Sequence, residues 1–500
     1  MTLALEGYAR RALPWLVAAA LITSWWFSLI ILLDTPLVDL TPPKIMVLFG
    51  AALLTAARPW RVLSLREWRA LLPVGAYLAW FPLAALLRAT SEDLKTAAAY
   101  LVFCGLAAAL SFAAVRLERQ RAARMLVLVV LGAVFVSFFA AVLERATYPM
   151  PGEADPLAWL WSLFRPQTGL ADPRLGDIPA PPLHAGTGVP GVVRATGFFV
   201  QTNYLAFFAV LAVPLLMVML VSSVRKGRRL STLAMAAALS AALVTAYWTY
   251  ARVGIVAVGL VALAALVVEL LSVTERRAVR PSIGQLKPTL LGLAVAAAVM
   301  AGSLLSDGVG LSRLTGESLG EAPITGEQTG APPESSAESA TRSANLRLAL
   351  QRTALDMVTA DTGAVLIGPG LAAYETAVHD PGSSRHIPAA FGIRDPNSLW
   401  LTVSLAGGML GLLLLTLLVG YLMVRLARAL RRPEDGWPRL AVLWLAAWLP
   451  VWAVIQFLGT NPFNTSESII FGTLVGSMVG LTEPGAGAAG GAGSGDIEEA

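Results

Sequence analysis

Long apolar runs alternate with short polar connections along most of the chain, and a run of about twenty residues is long enough to cross a bilayer as a helix. Approximate limits are 13–33, 43–57, 70–87, 96–115, 125–143, 196–222, 231–249, 253–272, 288–306, 397–424, 440–457 and 466–481. Basic residues gather at every second connection: Arg10 and Arg11; Arg58, Arg61, Arg66 and Arg69; Arg116, Arg119, Arg121 and Arg124; Arg225, Lys226, Arg228 and Arg229; Arg276, Arg277, Arg280 and Lys287; Arg425, Arg428, Arg431, Arg432 and Arg439. Cytoplasmic connections carry such an excess of Lys and Arg, so these loops should share one face. The pattern predicts an all-α polytopic membrane protein of about twelve transmembrane helices with both termini cytoplasmic. Arg10 and Arg11 also fit the start of a signal peptide, but the following run is about twenty residues long with no convincing cleavage site, and it reads as an uncleaved first helix.

Two long connections fall on the opposite, outer face. The chain then divides into spans one to five (1–143), an outer loop rich in proline and glycine (144–195), spans six to nine (196–306), a large outer loop (307–396), spans ten to twelve (397–481) and a low-complexity Gly/Ala tail (482–500). In the large loop, 316–340 is too polar and too rich in Gly, Pro and Ser to bury a core and is expected to be disordered. Downstream, Leu346, Leu350, Ala354, Met357 and Val358 recur at helical spacing with Arg347 and Arg352 between them, which predicts an amphipathic helix over 344–359.

Composition agrees with the hydropathy pattern. The 500 residues are 56% hydrophobic and 14% charged, well outside the range of a soluble domain. The one cysteine, Cys104, lies in an apolar run, which leaves no disulfide framework and no thiolate metal site. His184, His379 and His386 are the only histidines and lack ligand spacing, so neither a metal nor another cofactor is expected. The net charge of +5 is explained by loops that orient the protein, so nucleic acid is not an expected partner.

Candidate chemistry starts from Arg252, in Ala-Tyr-Trp-Thr-Tyr250-Ala-Arg252-Val-Gly between two apolar stretches. A guanidinium at membrane depth costs from about 2.5 to more than 10 kcal/mol and calls for an anionic partner or a watery cavity. The predicted topology puts two further polar groupings at the same outer boundary: Arg194 with Gln201, Asn203 and Tyr204 at the entry to span six, and Arg394-Asp395-Pro396-Asn397 opening span ten. Each has a structural reading as well. Arg194 and Arg252 fit snorkelling at a helix end, Asp395-Pro396 fits an N-cap with proline at the first helical position, and Gln201 and Asn203 fit interhelical hydrogen bonds. Together they form a candidate polar site at the outer leaflet.

These residues resemble a known family. Arg194-Ala-Thr-Gly-Phe-Phe-Val-Gln-Thr-Asn-Tyr-Leu-Ala is similar to the Arg-x-x-Gly-x-Phe-x-x-x-Asn-x-x-Ala signature of the bacterial O-antigen ligase and O-antigen polymerase superfamily. Tyr-Ala-Arg252-Val-Gly-Ile resembles its Ser-Arg-Gly-Gly/Ala motif. Ala344-Asn-Leu-Arg347 through Gly368-Pro-Gly370 to Tyr374 is similar to its loop helix and Gly-x-Gly turn, and Pro396-Asn397-Ser-Leu-Trp-Leu through Gly407-Gly408 to Gly411 resembles its His-Asn-x-x-Leu motif and following Gly-x-x-Gly. The matches span roughly Arg194 to Gly420.

The resemblance implies a metal-independent glycosyltransferase of GT-C-like type in the bacterial inner membrane, moving a glycan from an undecaprenyl-diphosphate-linked donor at the periplasmic leaflet. The acceptor would be a lipid A core in a ligase or another lipid-linked repeat in a polymerase, and a chain-length regulator or other export-complex protein is an implied partner. Arg194 and Arg252 would stabilise the diphosphate leaving group by charge-assisted contacts, with Arg347 a third candidate. Gln201, Asn203, Tyr204, Tyr250, Tyr374 and Asn397 would contact substrate. The family's histidine before the span-ten Asn is replaced by Asp395-Pro396, which favours a polymerase-like enzyme over a lipid A ligase and leaves Asp395, His386 and His379 as rival bases. A secondary transporter or lipid-linked sugar flippase is the alternative, because twelve spans also describe many carriers. A scaffold in an export complex is a third reading.

Overall fold

The computed structural model describes residues 2–26, 41–146, 185–186, 193–194, 202–249, 336–387, 396, 398–432, 434–455 and 465–483, with short helical stretches between 256 and 302. The helices are α1 (Thr2–Trp26), α2 (Pro42–Ala57), α3 (Leu65–Trp68), α4 (Leu72–Leu87), α5 (Ser91–Leu117), α6 (Arg119–Ala146), α7 (Thr202–Arg225), α8 (Arg229–Trp248), α9 (Ser336–Val358), α10 (Thr362–Ile367), α11 (Leu371–His379), α12 (Leu399–Leu430), α13 (Trp437–Ile455) and α14 (Thr465–Thr482). One antiparallel pair of two-residue strands, β1 (Ala185–Gly186) and β2 (Val193–Arg194), also occurs among the described residues. Seven helical segments there are long and apolar enough to cross a membrane: Leu65–Leu87, Ser91–Leu117, Arg119–Ala146, Leu205–Arg225, Arg229–Trp248, Leu399–Leu430 and Trp437–Val454. The chain is an α-helical membrane protein. The predicted runs 253–272 and 288–306 fall largely outside the described residues, and α1 begins earlier than the run expected at 13–33.

Ion pairs gather at one end of the bundle, here the basic end. Arg10 donates Nε–H to the Ala57 carbonyl at 3.3 Å, Arg116 pairs with Glu67, and Arg119 grips Glu434 through two bonds of 2.6 and 2.8 Å. Loops far apart in sequence therefore adjoin. The last turn of α14 ends among them. Its carbonyls, unsatisfied within the helix, accept from Arg119 (Gly480, 3.1 Å) and Arg432 (Thr482, 2.6 Å), while Arg425 donates to the Thr482 hydroxyl at 2.8 Å. Glu67 also closes a capping box on α3, accepting from the Ser64 N–H at 2.7 Å.

Small residues decide how closely the helices approach. Gly472, Gly476 and Gly480 line one face of α14, and a methyl group on the first two would collide with the carbonyls of Cys104 and Ala108 on α5. The two backbones touch, as in small-xxx-small packing in membranes. Across the bundle, fully buried Trp444 of α13 donates its indole N–H to the Leu211 carbonyl of α7 at 2.7 Å.

At the opposite, loop end, α9, α10 and α11 form a small unit with its own core. Leu350, Ala354, Met357 and Val358 pack on Tyr374 and Val378 of α11 and on Leu405 of α12, with Leu346 at the edge. The buried stripe of α9 is the apolar stripe expected from spacing, but the helix starts at Ser336, inside the segment expected to be disordered. Residues 316–335 lie outside the described residues. A second difference concerns span ten. The helix opens at Leu399 with Ser398 as N-cap rather than at Asp395-Pro396, and it is interrupted at Gly408, where φ is +63° and ψ is −162°.

Candidate functional site

The described polar groups of the loop end converge on the turn between α4 and α5. The interruption of α12 withdraws carbonyls from their helical partners, and in an apolar setting each must find another donor. Three donors from three places meet that need: the Gly370 N–H reaches the Leu405 carbonyl at 2.9 Å, Arg88 Nη1 reaches Ala406 at 3.0 Å, and Trp80 Nε1 reaches Gly407 at 2.7 Å. Close backbone contact makes this possible. Cβ atoms at Gly368 or Gly408 would overlap the backbone of the facing segment, and both glycines hold positive φ.

Arg88 is the hub. Besides Ala406, its Nη1 donates to the carbonyls of Ile367 (2.6 Å) and Gly368 (3.3 Å), so one guanidinium holds the loop unit and the broken helix together. Nη2 lies 3.5 Å from Asp93 Oδ2, and the two side chains are only 9% and 5% exposed. Asp93 in turn accepts from the Ala372 N–H at 3.0 Å through Oδ1 and from the Thr90 hydroxyl at 3.0 Å through Oδ2. Burial pulls the Arg88 guanidinium below its ordinary value, and the Asp93 charge opposes that. Arg88 Nε is buried without a hydrogen-bond partner among the described residues, facing Gly370, where a side chain would crowd it.

A cleft of about 310 Å³ opens beside this hub, bordered by Arg88, Met357, Asp361, Ile367, Gly368 and Arg385. Asp361 caps α10, accepting from the Ala364 N–H at 2.9 Å. The lining carries two guanidiniums, Arg88 and Arg385, and one carboxylate, Asp361, while Asp93 pairs with Arg88.

The expected site residues fall into two groups. Gln201, Tyr250, Arg252, Asp395 and Asn397 lie outside the described residues, as do the side chains of Arg194, Asn203 and Tyr204. By backbone, Arg194 pairs with Ala185 in the β1–β2 ladder, and Asn203 and Tyr204 stand in the first turn of α7. The described chain stops three residues short of Arg252, at Thr249. There Trp248 stacks on Phe138 with centroids 6.1 Å apart, and the Arg145 guanidinium lies 5.1 Å from its ring. Glu144, next to Arg145 on α6, is fully buried.

In the loop unit, Arg347 is half-buried on α9 and His379 closes α11. Tyr374 is fully buried, with its hydroxyl donating to the Leu350 carbonyl at 3.2 Å; the ring is spent on packing α11 against α9 and presents no surface to a substrate. His386 is half-buried, and its Nδ1 lies 3.1 Å from the Val378 carbonyl. A carbonyl only accepts, so Nδ1 is the donor of this bond, and in the neutral ring the lone pair is on Nε2.

Arg88 and Asp93 are absent from the sequence-based site. The reasoning that singles out Arg252, a basic residue on the face opposite the basic loops, applies equally to Arg88. No four-residue group of known signature surrounds it, however, and its partners are backbone carbonyls that leave no mark in a sequence. The sequence matches no protein-family model and no curated protein.

Proposed function

We propose that the chain is a glycosyltransferase that moves or polymerises a glycan carried on a lipid diphosphate at the outer leaflet of the bacterial inner membrane, with about twelve spans and the basic end in the cytoplasm. What carries the reading is the meeting of segments that resemble the O-antigen ligase and polymerase motifs: the Gly368-Pro369-Gly370 turn and the Gly407-Gly408 break lie backbone to backbone, at the end of the bundle where α7 begins and α8 stops. The leaving diphosphate gathers negative charge in the transition state, and Arg194 and Arg252 are the guanidiniums proposed to receive it. Asp395 is the proposed base, with His386 or His379 as the alternative. The acceptor is a second lipid-linked repeat or another glycan acceptor.

The test is transfer in proteoliposomes supplied with undecaprenyl-diphosphate-linked repeats and no energy source. Elongated or transferred glycan is expected, with about a hundredfold or greater loss in Arg252→Lys at normal membrane insertion, because a point charge cannot replace a bidentate fork. Near-wild-type turnover of that variant would remove the diphosphate role. Movement of the lipid-linked sugar across the bilayer without new glycosidic bonds would identify a flippase instead.

A further inference from the structure

We infer that Arg88 and Asp93 are positioning residues: the α4–α5 turn sets where the outer-loop unit, 336–387, sits on the broken helix α12, and thereby where that unit's imidazoles and Arg347 stand relative to the bundle. The functional half of this statement rests on the proposed transferase reading; the positional half does not.

The geometry is that of a three-way tie. Arg88 reaches the loop at Ile367 and Gly368 and α12 at Ala406 from a single nitrogen, and Asp93 holds the loop at the Ala372 N–H while anchoring Arg88. Energetics argue against simple adhesion. Removing both charges from water is costly, and well-packed apolar residues of similar volume in such places are often as stabilising or more so. What apolar residues cannot supply is direction. The seam between loop and helix otherwise holds one direct backbone bond, Gly370 N–H to the Leu405 carbonyl, with apolar packing and close glycine contacts, whereas one guanidinium with three carbonyl acceptors and one carboxylate with an N–H adds direction from a third element and narrows the register. Transfer chemistry needs that register, because displacements near 1 Å can cost about a hundredfold in rate.

Four variants test this in the full-length protein: Arg88→Ala, Arg88→Lys, Asp93→Asn and the apolar pair Arg88→Met with Asp93→Leu. The double replacement guards against loss of fold, since it removes the buried charges together. Spin labels at Thr359→Cys, next to α9, and Leu417→Cys, on the far half of α12, report the register; both sites are exposed, while native Cys104 is buried. The expected result is a narrow distance distribution in the parent protein and a broadened or displaced one in Arg88→Ala and in the double variant at unchanged thermal stability. Arg88→Lys should restore part of the narrow distribution. With lipid-diphosphate-linked glycan, kcat should fall about tenfold or more while KM changes little, and Arg88→Lys should recover part of kcat. Unchanged distances in the double variant would overturn the inference whatever happens to turnover. Altered distances with wild-type kcat would overturn the role in transfer. A parent protein that forms no glycosidic bond, with distances still dependent on Arg88, would remove the transferase reading and uphold the positional role.

Discussion

Gly408 holds a backbone conformation that L side chains rarely adopt, and its missing side chain is the space in which the Leu366 backbone lies. Gly408→Ala should lower stability by about 1–3 kcal/mol from the dihedral alone, with more from the collision. Thermal unfolding in detergent checks this against Gly420→Ala, in the same helix but with open space around it, which should be neutral or slightly stabilising. At this scale the sequence is legible where a residue type is costly. Arg252 is conspicuous because its neighbours are apolar, and Cys104 is inert because they are too. It is illegible where a residue's meaning lies in its partners: Tyr374 has a polar tip in a glycine-bounded loop, and the hydroxyl donates to the Leu350 carbonyl of the neighbouring helix. For the base, Asp395→Asn tests one candidate and His386→Gln and His379→Gln the two alternatives, assayed by glycan transfer. Whichever variant loses about a hundredfold or more names the proton acceptor, and the bystanders should stay within a few-fold of wild type.

Among the elements, α5 and α14 meet backbone to backbone. Gly476→Val should drive α14 away from Ala108 and Ser111 and cost about 1–3 kcal/mol or more, as overpacking does elsewhere, read as a lowered thermal midpoint and raised protease sensitivity. A Gly472→Ala change on the same face should act in the same direction. The three-glycine stripe is visible in the sequence, but a hydropathy window averages it away. Helix α9 shows the opposite case: its buried face follows directly from spacing, and only its start was misplaced, because Ser336 to Ala340 continue the helix without any apolar residue beyond alanine to advertise it. The opening of α12 departs from the start that Asp395-Pro396 predicts for a related reason. Asp-Pro is a strong local start signal, but a helix begins where its carbonyls first find N–H partners, and here that is the Ser398 carbonyl with Thr402 N–H at 2.9 Å.

For the whole molecule, the alternating basic loops are the most informative feature of the sequence, and the joining of Arg116 to Glu67 and of Arg119 to Glu434 is their structural counterpart. Which face they occupy is testable with the buried native cysteine left in place. A membrane-impermeant maleimide applied to intact cells should label Thr359→Cys and Ser384→Cys in the outer loop and leave Arg431→Cys unlabelled until the membrane is opened. Labelling in the reverse order would invert the topology. The break at Gly408 has one more consequence. Unbroken, the 32 residues of α12 would extend about 48 Å, far more than the roughly 30 Å of a hydrocarbon core. From Gly408 to Val424, the last residue before Arg425 and Arg428, the helix covers about 26 Å, close to the thickness of a hydrocarbon core. The interruption thus sets the hydrophobic length of this segment, so the protein should be most active and most stable in lipids of ordinary chain length and should lose both as acyl chains are lengthened.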